Sequence, residues 1–195
     1  MRKDEIMRYK VMLSRSAELK LTLMAYAPQV LAIVDVCETA LRNGGKLIFC
    51  GNGGSAADAQ HLATELVIRL RGAVARPSWP AITLALDTSA VTAAVNDFGV
   101  DEMFARPLRG LGQEGDVLFG ITTSGKSANV LGALKAAAEM GITPVGLLGG
   151  DGGPALALCD LAVVVPDQNT ARVQECHITI GHALLTLLED RMLGA

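Results

Sequence analysis

His61 and Glu65 stand one helical turn apart in Asp58-Ala59-Gln60-His61-Leu62-Ala63-Thr64-Glu65, so on a helix an imidazole and a carboxylate leave the same face. Such a pair can shuttle a proton or hold a metal ion. It follows directly on Cys50-Gly51-Asn52-Gly53-Gly54-Ser55, where an apolar strand runs into a loop whose three glycines let the backbone approach a ligand and whose Ser55 can cap the next helix. A second loop, Thr122-Thr123-Ser124-Gly125-Lys126-Ser127, precedes a helical run from Ala128 to Met140. Hydroxyls and a glycine at a helix N-terminus suit a phosphate, because unsatisfied amides and the positive end of the helix dipole both favour an anion. Plain helix capping is the other use of the same residues. The third piece is Gln174-Glu175-Cys176-His177-Ile178-Thr179-Ile180-Gly181-His182, in which Gln174 and His182 lie eight residues apart and near one helix face. His61, Glu65 and His182 together offer the imidazole and carboxylate ligands of a catalytic zinc. His177 is rotated away from that face and reads as structural. Asn96-Asp97 reads as a turn or helix stop, or as a pair able to hold sugar hydroxyls.

These residues need a scaffold. At 195 residues the chain fits a single domain over 1–195, with N-terminal helices over 1–44 and an α/β sandwich over 45–195. The 50% hydrophobic and 19% charged content, with only 4% aromatic residues and 21 glycines, suits an Ala/Leu/Val-built α/β protein whose tight turns carry the chemistry. A net charge of -3 gives no basic footprint for nucleic acid. Cys37, Cys50, Cys159 and Cys176 are widely spaced and read as buried thiols of a reducing compartment. The charged start from Arg2 to Glu5 and the lack of an apolar run approaching membrane-spanning length predict neither signal peptide nor anchor, hence a cytoplasmic protein.

Apolar periodicity predicts helices over Ile6–Met24 and Val30–Leu41, the second stopped by Asn43-Gly44-Gly45, and a long last helix from about Asn169 to Leu193. Short continuous apolar runs predict strands at Lys46–Cys50, Ala81–Leu86, Asp116–Thr122, Thr143–Leu148 and Leu161–Val165. Runs of this kind, with helical patterns between them, suit a five-stranded parallel sheet sandwiched by helices, with ligands at the carboxyl ends of the strands. A dinucleotide site is a rival for the first loop, since Gly51, Gly53 and Ala56 match G-x-G-x-x-A. The acidic ribose-binding residue expected about 20 residues on is missing, however: Ile68-Arg69-Leu70-Arg71 occupies that region.

The ordered set Gly51-Asn52-Gly53-Gly54-Ser55 with Asp58 and His61-x-x-x-Glu65, Asn96-Asp97-Phe98-Gly99, Glu114-Gly115-Asp116-Val117-Leu118, Thr123-Ser124-Gly125-x-Ser127-Ala128-Asn129-Val130 and Arg172-Val173-Gln174-Glu175-x-His177 resembles the phosphoheptose isomerase branch of the SIS sugar-isomerase family. The resemblance runs from about residue 45 to 190. It implies a flavodoxin-like SIS sandwich, a cytoplasmic homotetramer with active sites at subunit contacts, and interconversion of sedoheptulose 7-phosphate with glycero-manno-heptose 7-phosphate for nucleotide-activated heptose synthesis. It further implies that Asn52, Gly53, Gly54, Glu65, Asn96, Asp97 and Gln174 meet the sugar, that Thr122, Thr123, Ser124 and Ser127 hold the phosphate, and that His61, Glu65, Gln174 and His182 bind one zinc per subunit. Glu65 would be the catalytic base and His182 the acid. Thr122 replaces a serine common in the family, and Ala171 an aspartate of some members. Two other readings share these loops: a non-catalytic SIS sugar-phosphate-binding or regulatory module, and an isomerase of another sugar phosphate.

Overall fold

The computed structural model of the protein describes residues 2–85 and 87–194. Helix α1 (Arg2–Thr22) passes through a 3-10 turn (Leu23–Tyr26) into α2 (Ala27–Arg42), which Asn43 and the left-handed Gly44 end as expected. There follow β1 (Leu47–Gly51), α3 (Gly54–Val67), β2 (Ala81–Thr83), α4 (Thr88–Phe98), α5 (Glu102–Leu111), β3 (Val117–Thr122), α6 (Ala128–Glu139), β4 (Thr143–Gly149), the single turn α7 (Gly153–Leu156), β5 (Leu161–Val165) and α8 (Thr170–Leu193). The five strands form one parallel sheet in the order β2-β1-β3-β4-β5. The strand order reverses between β1 and β3, so a crevice opens beyond their carboxyl ends, where the two glycine and hydroxyl loops emerge.

β1 and β3 are buried at every position, which is why they read as continuous apolar runs. Alternate side chains feed two cores. Leu47, Phe49, Val117, Phe119 and Val145 pack with residues of α2, α3 and α8, and Phe49 stacks on Phe119 with ring centroids 4.9 Å apart. On the other face Ile48, Leu118 and Leu148 pack with Phe104 and Leu108 of α5 and Val130 and Leu134 of α6. Asp116, fully buried, accepts from the Lys46 and Gln113 amides and from Lys46 Nζ, and so pins the amino ends of β1 and β3 together.

Two expectations are corrected. The run Ala81–Leu86 pairs only as far as Thr83: Leu84 donates its amide to Phe49, after which the chain turns towards α4, capped by Asp87. Leu86 lies outside the described residues. The helical stretch Arg2–Arg42 also contains an 18-residue window long and apolar enough to cross a membrane, with mean hydropathy 1.4 and 17% of it buried. The 3-10 turn interrupts that stretch, and its Leu21, Met24 and Leu31 are exposed. All four cysteines are free thiols, and burial pushes Cys50 up to about 12.

α8 is tied to the sheet by His177, whose Nε2 lies 3.0 Å from the Leu148 carbonyl, leaving a buried Nδ1 without a partner. Burial depresses this imidazole to about 4 against an ordinary 6.5, with the Leu148 bond working the other way. Between those values the unfolded chain takes up a proton that the folded chain refuses. The contribution is therefore complete above pH 6.5 and is lost as pH falls towards 4, by roughly 3 kcal/mol. Urea unfolding from pH 7 to 4.5 should show this decline, and His177→Gln should flatten it.

Candidate active site

β1 delivers Gly51, and the chain then turns through Asn52 and Gly53 into α3. Gly53 adopts φ 55°, a left-handed conformation that suits glycine, and acts as the N-cap without a side-chain bond. Ser55, expected to cap, is instead the buried second residue of the helix, with its amide bonded to the Asn52 carbonyl. A Cβ on Gly54 would fall 2.1 Å from Gln174 Nε2. The lack of a side chain at Gly54 thus leaves room for the Gln174 amide against this loop.

The second loop leaves β3 at Thr122. Its hydroxyl lies 3.0 Å from that of Ser127 and 3.5 Å from that of Ser124, and Ser124 Oγ accepts from the Lys126 amide. Ser127 occupies the N-cap position of α6 but makes no side-chain cap bond. Its hydroxyl turns towards Thr122, so three hydroxyls converge beside a helix N-terminus, an arrangement that suits an anion rather than capping alone. The loop is held from behind: Gly125 has φ 64° and a Cβ there would lie 2.0 Å from the Gly152 carbonyl oxygen. Asn129, missed as a site residue, joins the two loops. Its Nδ2 donates to Asn52 Oδ1 at 2.7 Å and its Oδ1 accepts from Asn52 Nδ2 at 2.8 Å, a reciprocal amide pair across the crevice. The spacing within Ser127-Ala128-Asn129 hinted at a polar first turn, but a pairing across 77 residues leaves no local signal.

Along α3 and α8, His61 Nε2 lies 2.7 Å from His182 Nε2 and 3.2 Å from Glu65 Oε1. One ligand atom from each of the three residues lies within 4.8 Å of the others. Two imidazole nitrogens aimed at each other beside a carboxylate oxygen form a donor set that fits a divalent metal. α8 reaches α3 closely because a Cβ on Gly181 would fall 2.6 Å from the Leu62 side chain. Gln174, eight residues before His182 and so about 12 Å of helix rise from it, faces Gly54 and Asp58. Asp58, part of the first motif but without a role assigned from it, is half-buried with one buried oxygen unpartnered. Burial raises its carboxyl above the ordinary range, opposed by Gln174 and by the His61 and His182 imidazoles.

Asn96 and Asp97 end α4, exposed and bonded to each other at 2.8 Å, just before Gly99 at φ 91°. The reading as a helix stop fits this placement. Among the described residues neither side chain bonds to the two loops.

Residues 15–149 match the SIS domain family. The phosphoheptose isomerase of Chlorobaculum parvum is 53% identical over 180 residues, 91% of this chain and 86% of that protein. That of Paramagnetospirillum magneticum is 52% identical over 157 residues, 80% of this chain and 81% of its own. Among solved structures, the phosphoheptose isomerase from Neisseria gonorrhoeae matches with a TM-score of 0.86 at 36% identity, covering 97% of this chain and 100% of that one. The Francisella tularensis enzyme matches with a TM-score of 0.89 at 33% identity, covering 97% and 99%.

Because Gly125 has both a left-handed φ and a backbone oxygen where a Cβ would go, Gly125→Ala must displace the loop. Inorganic phosphate, followed by calorimetry, should bind this variant at least about tenfold more weakly, with the helical circular dichroism retained.

Proposed function

The chain belongs to the SIS domain family and is an isomerase with phosphoheptose isomerases as its relatives; on that premise we propose that it interconverts D-sedoheptulose 7-phosphate and D-glycero-D-manno-heptose 7-phosphate, in the cytoplasm, for nucleotide-activated heptose synthesis. The observation that carries this reading is the His61–Glu65–His182 group on the same two helices that present Gly54 and Gln174. A protein that only bound sugar phosphate would need the hydroxyl cradle and not an acid/base cluster.

Thr122, Thr123, Ser124 and Ser127 hold the phosphate, with the α6 amides and helix dipole sharing its charge. Asn52, Gly53, Gly54, Asn96, Asp97 and Gln174 meet the hydroxylated chain. Ketose and aldose differ by a proton moved between carbons 1 and 2, through a cis-enediol. Glu65 takes a proton from carbon 1 and returns it to carbon 2, while His182 gives a proton to the oxygen on carbon 2 and takes one from the oxygen on carbon 1. General acid/base help of this kind contributes about 10² to 10⁴ in rate. The imidazoles and carboxylate of His61, Glu65 and His182 would hold zinc, which when bound polarises the carbonyl.

Gln174 is two turns from His182 on the same helix, so as a fourth ligand it would come from a neighbouring copy. That suits a homotetramer with active sites at subunit contacts. The exposed apolar residues of α1, including Ile6, Met7, Val11 and Leu13, and the groove lined by Leu23, Met24, Leu31 and Leu187, give such an assembly its surface.

The reading is tested by following aldose formation by NMR with sedoheptulose 7-phosphate and, separately, fructose 6-phosphate: conversion of the heptulose alone supports it, and conversion of the hexulose alone overturns it. Glu65→Gln and His182→Gln should each lower kcat by about 10² or more in a folded protein, and near wild-type turnover would remove that residue from its role. Protein purified without chelator should carry close to one zinc per subunit, and chelator should lower activity more at acidic pH, where protons compete for the histidines. Full activity without metal would leave the acid/base roles standing and remove the zinc.

A further inference from the structure

Arg76 opens the run Arg76-Pro77-Ser78-Trp79-Pro80, which in sequence reads as a surface turn leading into β2, yet in the structure its side chain is buried beside the end of α3. Its side chain is 1% exposed, and its guanidinium carbon sits 4.3 Å above the Trp79 ring. Nη2 donates to the backbone carbonyl of Glu65 itself, and Nη1 donates to the Leu66 and Pro77 carbonyls at 2.9 Å each. Nε donates to Glu189 Oε1 at 2.7 Å. Glu189 is likewise 1% exposed, and its other oxygen takes Arg71.

The carbonyls of Glu65 and Leu66 belong to the last turn of α3, where no further helical amide follows to bond them. A cation at a helix C-terminus also meets the negative end of the dipole. Glu189 lies seven residues beyond His182 on α8, two turns along the same helix. One guanidinium therefore spans the end of the helix bearing the base and the helix bearing the acid. The fork geometry matters, because a lysine ammonium cannot bond three carbonyls and a carboxylate in fixed directions.

We propose that Arg76 is a positioning residue for catalysis: anchored by Glu189 and Trp79, it fixes the last turn of α3 against α8 and so sets where the Glu65 carboxylate stands relative to His182. The inference rests on the isomerase reading above. Among the described residues Arg76 bonds to neither phosphate loop, so its loss acts through the placement of Glu65. Misplacement of a reacting group by about 1 Å can cost about a hundredfold in rate.

The test compares wild type, Arg76→Lys and Glu189→Gln in kcat and KM for sedoheptulose 7-phosphate, each assayed at least 15 °C below its own melting temperature. The expected result is kcat lowered about 10- to 100-fold in both variants, with KM within about twofold of wild type. Wild-type kcat in a folded Arg76→Lys, whatever its melting temperature, overturns the proposal and leaves Arg76 purely structural. A rise in KM with kcat unchanged overturns it too, because that pattern belongs to a binding role. Failure of both variants to give folded protein counts against it, since a positioning role requires that the fold survive with Glu65 displaced. If wild type itself does not turn over the heptulose, the isomerase reading fails instead, and the two failures are told apart by that control.

Discussion

The close passage of α8 over α3 is the constraint on which this site depends. At Gly181 the absence of a side chain lets Leu62 lie against the α8 backbone, and at Gly54 the same absence on α3 admits Gln174. Two helices more than 100 residues apart in sequence thereby run side by side, with His61 and His182 facing each other beside the Gly181–Leu62 contact. Either helix alone would present a solvated histidine on its surface. Packed at glycine distance, they present two ring nitrogens and a carboxylate to a single point.

The sheet serves the site differently, by freezing everything except its carboxyl-end loops. β1 and β3 are buried on both faces, and the Asp116 carboxylate holds their other ends in register through three donors. A satisfied anion fixes one end of these strands, and the left-handed Gly53 and Gly125 help shape the loops beyond the other. The hydroxyl cradle inherits its form from backbone packing at Gly125 and Gly149, where added side chains would strike the Gly152 and Thr123 carbonyls. Ligand geometry at this end is accordingly set before any ligand arrives.

The sheet was legible because each strand is a short apolar run between helical patterns, and strand boundaries fell within a residue except at β2, an edge strand with one partner whose apolar run continues past its pairing. The loops were legible because glycines and hydroxyls at a strand-to-helix turn have few other uses together. The triad was legible as residue types and as a resemblance, since His61 and Glu65 share a turn. Its geometry was not, because the meeting with His182 depends on the depth of a helix crossing. Asn129, Asp58 and Arg76 went unassigned for a common reason: each acquires its meaning from a partner distant in sequence, and a polar residue in a helix or loop carries no local mark of that partner.

The reciprocal bond between Asn52 and Asn129 bears on how the molecule ages. Asn52 precedes Gly53, and asparagine followed by glycine is the sequence most open to spontaneous deamidation, because the glycine nitrogen can attack the side-chain carbonyl carbon to form a cyclic imide. That attack requires the carboxamide to swing back over its own backbone. Here both ends of the Asn52 amide are held by Asn129 across the crevice, so the rotamer needed for cyclisation is opposed by two hydrogen bonds. An aspartate formed at this position would also lose the donor that Asn129 accepts from and place a negative charge beside its oxygen. The bridge that shapes the crevice thus also shields its most perishable residue.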